Sequence, residues 1–117
     1  LQLMNLPNPL AETPAPPFYA VIFTSQRSAE KESGYQKMAG RMMDLATQQD
    51  GFLGVESVRD ECGTGITVSY WRDRESIQRW REVTEHLTAQ EHGRPRWYQR
   101  YHVRICLVEH QYGFDTD

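Results

Sequence analysis

Strand-like and helix-like segments alternate along this chain in a single order, and that order restricts the fold more than any other feature. Four segments are rich in β-branched and aromatic residues, which favour strands: 18–24, 52–59, 66–71 and 97–108. Two further segments repeat apolar residues at the three-to-four-residue spacing of an amphipathic helix. The order β-α-β-β-α-β predicts an α+β, ferredoxin-like domain, with a four-stranded antiparallel sheet and both helices on one side.

Turn and cap residues indicate where the two predicted helices begin and end. The apolar face of the first helix consists of Tyr35, Met38, Met42 and Leu45. This helix should end before the turn at Asp50-Gly51. Asp73 is a plausible N-cap for the second helix, whose apolar stripe runs over 77–87 and which Gly93 and Pro95 should stop.

The predicted sheet is apolar on both sides. Aromatic and aliphatic residues occupy both alternating sets of positions on the first, third and fourth strands. Helices cover only one side of such a sheet, and a chain of this length has no further layer for the other. We therefore expect a homodimer that packs face to face through the uncovered sheet face, and the last strand could also pair with the partner's edge.

The first 17 residues have a different character, because they hold five of the six prolines. Proline disfavours both helices and strand ladders, so this segment should be an extended arm. Its apolar residues suggest that it lies against a surface of its own chain or of a partner, and a loose tail is the alternative. The chain thus divides into an arm (1–17), a folded domain (18–112) and a C-terminal tail (113–117).

Charge and apolar runs exclude several classes of protein. The net charge is −3, and charged residues make up 25% of the chain, which fits neither a disordered acidic chain nor a basic nucleic-acid binder. Residues 72–104 contain eight basic and five acidic residues, a balance typical of a solvated surface. No apolar run is long enough for a membrane span. We expect no nucleic-acid partner and no membrane association.

Two cysteines, Cys62 and Cys106, show neither a CxxC motif nor metal-ligand spacing. This pattern predicts reduced, buried thiols and no metal site, although a single disulfide remains open. The N-terminal segment does not have the composition of a secretory signal, so we expect a cytoplasmic protein.

Several motifs of the domain resemble the antibiotic biosynthesis monooxygenase (ABM) family. The matching residues are Ser69-Tyr70-Trp71-Arg72-Asp73, Ile77, Trp80-Arg81, His86-Leu87 and Gly93-Arg94. Two later motifs, Arg96-Trp97-Tyr98 and Tyr101-His102-Val103-Arg104, resemble one bacterial branch of that family. With the first strand and the segment 51–54, the resemblance covers about residues 18–112 and leaves the arm outside.

The resemblance implies a dimeric α/β barrel in which each protomer has a cleft between its sheet and its helices. Family members include cofactor-independent monooxygenases that oxidise phenolic or quinol compounds with O₂. We therefore expect a cofactor-independent monooxygenase of a small aromatic, phenolic or quinol molecule. A non-catalytic, dimeric ligand-binding or stress-related barrel is the alternative, since a shared fold does not determine function.

Three residues are the candidates for the site. His86 lies on the second helix, near where the family often places a histidine of the cleft, and a histidine suits proton transfer near neutral pH. Trp80 and Trp71 would form walls against a flat substrate. Structural roles are the competing interpretation: Trp80 as the core anchor of its helix, and His86 as a surface or cap residue.

Haem binding is a further alternative that the residues support less well. The haem-degrading members of the family combine an Asn on the first strand with a Trp and a proximal His on the late helix. Here the first strand has no Asn, and Trp80 matches the tryptophan. Ala89 or Gln90 occupies the histidine position, and His92 misses it by two or three residues. We expect no cofactor.

Overall fold

The structure is a computed structural model, and it describes residues 9–28, 34–90 and 97–116. Its elements are β1 (Phe18–Arg27), α1 (Tyr35–Thr47), β2 (Phe52–Arg59), β3 (Thr64–Trp71), α2 (Arg74–Gln90) and β4 (Tyr98–Val108). The predicted α+β, ferredoxin-like order is confirmed. The predicted helix stop at Gly93 and Pro95 lies outside the described residues. None of the described helices combines the length and the apolar character that a bilayer crossing requires.

The four strands form one antiparallel sheet in the order β2-β3-β1-β4, so β3 and β1 are its central strands. Trp71 of β3 stacks on Trp80 of α2, which identifies the side of the sheet that faces the helices. Because side chains alternate along a strand, Gly65, Thr67 and Ser69 share this helix-facing side. Residues 18, 20, 22 and 24 of β1 lie on the opposite side, called here the outer face.

The helix-facing side holds most of the buried apolar side chains. Trp71 of β3 and Ile77 and Leu87 of α2 are all buried. The predicted N-cap of α2 is confirmed, because the Asp73 carboxylate accepts hydrogen bonds from the Ser76 backbone N–H (2.8 Å) and hydroxyl (2.6 Å). The Ser76 hydroxyl, with the neighbouring Arg72 guanidinium, holds the pKa of Asp73 well below its ordinary value. The cap therefore stays ionised at neutral pH.

The turn between α1 and β2 packs directly on the start of α2. Gly51 adopts a left-handed backbone conformation with φ = +94°, and a Cβ atom placed on it would lie 1.9 Å from the Ser76 hydroxyl oxygen. The Arg72 N–H donates to the Gly51 carbonyl at 2.7 Å. The Arg72 side chain also forms two 3.1 Å hydrogen bonds with the Asp50 carboxylate. These contacts fix the helix that carries Trp80 and His86 against the sheet.

The described part of the arm lies on the outer face of its own sheet. The Ala11 N–H donates to the Glu56 carboxylate at 3.0 Å, and a Cβ atom on Gly54 would lie 2.8 Å from the Ala11 Cβ. The Thr13 hydroxyl donates to the side-chain oxygen of Gln111, beyond the end of β4. The arm thus covers one end of the face that we expected a dimer partner to cover. Phe18 of that face is buried.

β4 is exposed on both sides over most of its length. The predicted alternation of its side chains follows from its pairing with β1, but neither side is covered along the strand. Tyr101, Val103, Ile105 and Leu107 form an apolar stripe, and each is 49–57% exposed. On the outer face, Val58 and Ile66 are exposed as well. Apolar surface therefore remains open along the β4 edge and at the uncovered end of the outer face.

The cysteines are free, as predicted, but the prediction that they are buried is wrong. Cys62 and Cys106 are both exposed. Cys62 lies in the turn between β2 and β3, where no element packs over it. Cys106 lies on β4, the strand whose two sides are open.

Candidate functional site

Three aromatic rings meet at one end of the helix-facing side of the sheet. The Trp71 and Trp80 rings stack with centroids 5.9 Å apart and planes 26° apart, and the Phe52 ring meets Trp71 edge-on at 5.4 Å. We call Phe52, Trp71 and Trp80 the tryptophan cluster. Trp71 is fully buried, and its indole N–H donates to the Ser69 hydroxyl at 2.8 Å. Trp80 and Phe52 are only partly buried, so solvent can reach these two rings of the cluster.

Small hydroxyl side chains continue from the tryptophan cluster along the helix-facing side. Thr67 and Ser69 lie on the central strand β3, and the Ser57 hydroxyl of β2 is 2.7 Å from that of Thr67. We call these three residues the hydroxyl row. All three remain partly exposed, although two of them lie on a central strand beneath the helices. The helices therefore do not seal this part of the sheet, and solvent reaches the hydroxyl row.

An arginine side chain closes the other end of the hydroxyl row. Arg59, the last residue of β2, pairs with Gly65 of β3 and extends across it. Its guanidinium donates to the Ser25 hydroxyl at 2.6 Å and to the Gly63 carbonyl. A Cβ atom on Gly65 would lie 2.5 Å from the Arg59 Cζ atom. The guanidinium therefore lies flat on the backbone of Gly65, in space that any larger side chain there would occupy.

Two tyrosines and a second arginine surround this end of the sheet. The Arg59 Cζ atom lies 5.9 Å from the centre of the Tyr98 ring, and the Arg27 Cζ atom lies 3.6 Å from the centre of the Tyr35 ring. Burial, and next to it the neighbouring phenol of Tyr35, raises the pKa of Tyr98 above its ordinary value. The Tyr98 phenol is therefore neutral at physiological pH, and the guanidinium groups of Arg59 and Arg27 lie beside the tyrosine rings at this end of the hydroxyl row.

The predicted base, His86, lies in a different place. An open groove of about 510 Å³ runs between α1 and α2 and is lined by Arg41, Leu45, Gln49, Arg79, Glu82, Val83, His86 and Leu87. His86 is exposed there, and among the described residues no hydrogen bond or ion pair fixes its ring. Neither Trp71 nor Trp80 lines this groove. The structure therefore brings the two tryptophans together and sets His86 apart from them.

Sequence reasoning missed the hydroxyl row and Arg59. A signal for the row is present, since Gly65, Thr67 and Ser69 are small or polar at alternating positions of a strand that is otherwise apolar. No comparable signal marks Arg59, because its approach to Gly65 and Ser25 depends on the register of three strands. Within the described residues, no group of three or more His, Cys, Asp or Glu side chains is arranged to hold a metal ion.

Comparisons with known proteins agree with this architecture. The chain is 54% identical over 108 residues to the uncharacterized protein YqjZ of Bacillus subtilis, and the match covers 92% of this chain and 94% of that protein. It is 32% identical over 94 residues to the jasmonate monooxygenase ABM of Pyricularia oryzae. That match covers 77% of this chain but 43% of the relative, so this chain spans less than half of that relative's length.

Solved structures support the fold independently of sequence. The crystal structure of PA3566 from Pseudomonas aeruginosa superposes with a TM-score of 0.62 at 16% identity, and the match covers 84% of this chain and 98% of that one. The family model for antibiotic biosynthesis monooxygenase matches residues 18–92, which include the tryptophan cluster, the hydroxyl row and His86. This chain therefore belongs to the antibiotic biosynthesis monooxygenase family.

Proposed function

We propose that this protein is a cofactor-independent monooxygenase that oxidises a small aromatic, phenolic or quinol substrate with O₂ in the cleft above the hydroxyl row. The observation that carries the proposal is the tryptophan cluster beside a partly exposed row of hydroxyl groups. The half-buried Trp80 ring offers a stacking surface for a flat molecule, and the hydroxyls offer hydrogen bonds to its oxygen atoms. Family membership and the name of the Pyricularia oryzae relative support the reaction class.

The proposed chemistry relies on electrons that the substrate supplies. In an anthrone, O₂ converts the ring CH₂ group into a carbonyl: one oxygen atom is retained and the other leaves as water. The substrate supplies all four electrons, so the balance needs no external reductant. The protein would bind the substrate, remove water around it and accept a proton from it. In this proposal Trp80 binds the ring, and the fully buried Trp71, predicted as a second wall, supports Trp80 by stacking on it. His86 lies in the groove between α1 and α2 and is the predicted base that its own variant tests.

Oxygen uptake tests the proposal directly. The substrate panel contains anthrones, quinols and, because of the relative's name, jasmonate. We expect uptake with at least one compound, and about a fivefold or greater loss of kcat/KM in Trp80→Ala, because a stacked ring contributes about 1 kcal/mol or more. If His86 is the base, His86→Ala should lose about a hundredfold in kcat/KM, the usual contribution of a general base. The matched control is His110→Ala, another exposed histidine, which lies beyond the end of β4.

One observation favours a second candidate function, a non-catalytic ligand-binding barrel. His86 lies in the groove between α1 and α2, and neither tryptophan lines that groove. If no compound of the panel supports uptake, and a compound that binds does so equally well in His86→Ala, the protein binds ligands without oxidising them. Uptake that is the same in His86→Ala would instead retain the monooxygenase and remove His86 from the mechanism.

The proposal includes a homodimer and a cytoplasmic location. The half-exposed apolar stripe of β4 and the exposed Val58 and Ile66 of the outer face are surfaces that a second copy would cover. The dimer that the family resemblance implies would use the uncovered part of the outer face and the last strand. Two free, exposed cysteines are compatible with a reducing compartment.

A further inference from the structure

Among the described residues, no carboxylate pairs with the guanidinium of Arg59 at the end of the hydroxyl row. The ion pairs between described residues join Arg72, Arg79 and Arg81 to acidic side chains, and none of them involves Arg59. Its guanidinium donates to a hydroxyl and to a carbonyl, which are both neutral acceptors. Its Nε–H is buried and meets no acceptor among the described residues. A buried donor that is left unsatisfied costs free energy, and more so when it carries charge.

The surroundings of Arg59 hold it in place without neutralising it. Gly65 supplies the flat surface below the guanidinium, and the buried Ser25 hydroxyl fixes one of its terminal nitrogens at 2.6 Å. The Tyr98 ring borders the site at 5.9 Å, where it adds an attractive aromatic face and no negative charge. A planar guanidinium held in one orientation is well suited to bind a carboxylate, because two parallel N–H groups match its two oxygens.

The position of Arg59 relative to the tryptophan cluster suggests the shape of the ligand. Gly65 and Trp71 lie six residues apart on β3, which corresponds to about 20 Å at the usual rise of a strand. The hydroxyl row occupies the floor between them. A ligand with an aromatic end at Trp80 and an acidic end at Arg59 would follow the strand over these hydroxyls.

We infer that Arg59 is a substrate-binding residue that receives the carboxylate of an organic acid whose aromatic or alicyclic body lies against Trp80. This inference rests on the proposed function, because it names the substrate class of the same cleft. It adds that the substrate is an acid. The acid group, rather than the oxidised ring, is bound where β2 ends, at Arg59. Arg59 does not take part in the chemical step.

The test compares acids with their uncharged esters. A series of 2-naphthylalkanoic acids of increasing chain length, each beside its methyl ester, is titrated by calorimetry at pH 7 in a carboxylate-free buffer. We expect at least one acid to bind about tenfold or more tightly than its ester, because hydrogen bonds to a charged group are the strong ones. Its binding should also shift the ¹⁵Nε resonance of Arg59.

Three variants separate binding at Arg59 from general effects. Arg59→Gln removes the charge, and Gly65→Ala keeps the charge but displaces the guanidinium from its surface. Both should bring the acid and the ester to within about twofold of each other while ester binding is retained. Arg81→Gln is the control, since Arg81 is an exposed residue of α2 paired with Glu85 at 3.1 Å, and it should keep the wild-type preference.

Each outcome decides the inference separately from the proposed function. Equal binding of acid and ester by the wild type, no binding of any acid, or a preference that persists in Arg59→Gln would each overturn it. If Arg59 had only a structural role, Arg59→Gln would lower the melting temperature without changing the ratio of acid to ester affinity. Oxygen uptake with neutral substrates, together with no preference of the wild type for any acid over its ester, would retain the monooxygenase and refute the acid site. Acid binding without any oxygen uptake would retain the acid site and refute the monooxygenase.

Discussion

Replacing Gly51 by alanine should loosen the junction that sets α2 against the sheet. Gly51 has φ = +94°, a backbone conformation that costs other residues about 1–2 kcal/mol. The added Cβ would also lie 1.9 Å from the Ser76 Oγ and 2.6 Å from the Ser76 Cβ. Ser76 is fully buried, and its hydroxyl is held by the Asp73 carboxylate at 2.6 Å. It cannot rotate away, so the start of α2 must shift.

Overpacking of this kind costs about 1–3 kcal/mol, so we expect Gly51→Ala to lower the free energy of unfolding by about 2–5 kcal/mol in total. Urea unfolding followed by tryptophan fluorescence measures this change, because the tryptophan cluster lies beside the junction. Gly40→Ala is the matched control: it lies inside α1 and its Cβ would meet nothing within 4 Å. That control should gain about 0.5–1 kcal/mol, since alanine favours a helix interior over glycine.

A second background separates the two contributions. In Ser76→Gly, both atoms that the new Cβ would strike are absent, so Gly51→Ala should cost only the backbone contribution of about 1–2 kcal/mol. A loss of equal size in the two backgrounds would refute the contact as a cause. A loss below about 1 kcal/mol in the wild-type background would refute the strain as well. If the reasoning holds, Gly51→Ala should also weaken ligand binding, because α2 carries Trp80.

Two further predictions concern the outer face and the β4 edge. Burial, followed by a 2.8 Å hydrogen bond to Glu56, raises the pKa of Tyr70 from its ordinary value of 10 to about 12. As the pH rises, the unfolded chain therefore loses this proton before the folded chain does, so the free energy of unfolding should fall between pH 10 and pH 12. In Tyr70→Phe the free energy of unfolding should depend less steeply on pH over this range. Equal slopes for the two proteins would contradict the prediction. For the proposed dimer, sedimentation equilibrium should give a dimer for the wild type, a monomer for Ile105→Glu and a dimer for Gln36→Glu, on the exposed side of α1. A monomeric wild type would refute it.

The element order and several bounds could be predicted from the sequence because local signals agreed with the tertiary structure. The second strand was predicted over 52–59 and has those bounds, since turns flank it on both sides. The Asp73 cap was predicted from its place before a helical stripe, and its hydrogen bonds confirm it. β1 extends to Arg27, beyond the predicted 18–24, because its pairing with β3 and β4 continues through polar residues. Polar residues carry little strand signal by themselves.

Other features depend on contacts between distant residues and carry no local signal. The arm is held to Glu56, 45 residues from Ala11, and a proline-rich segment has no periodicity that would indicate the side on which it lies. Alternation predicts the two sides of β4, but it does not predict that both sides remain open.

The separation of His86 from Trp80 could have been predicted, since six residues at about 100° each place the two side chains about 120° apart around the helix.

The hydroxyl row is where the sequence departs from the pattern that would stabilise this fold most. Valine or isoleucine at positions 67 and 69 would suit a central strand and bury more apolar surface, at about 0.8 kcal/mol per buried CH₂ group. Thr67 instead pairs with Ser57 at 2.7 Å, and Ser69 accepts the indole N–H of Trp71, so the polar groups are satisfied but the apolar gain is lost. Such local departures from the stabilising pattern are expected mainly where function requires them. This is why we assign the proposed substrate to the surface between Trp80 and Arg59.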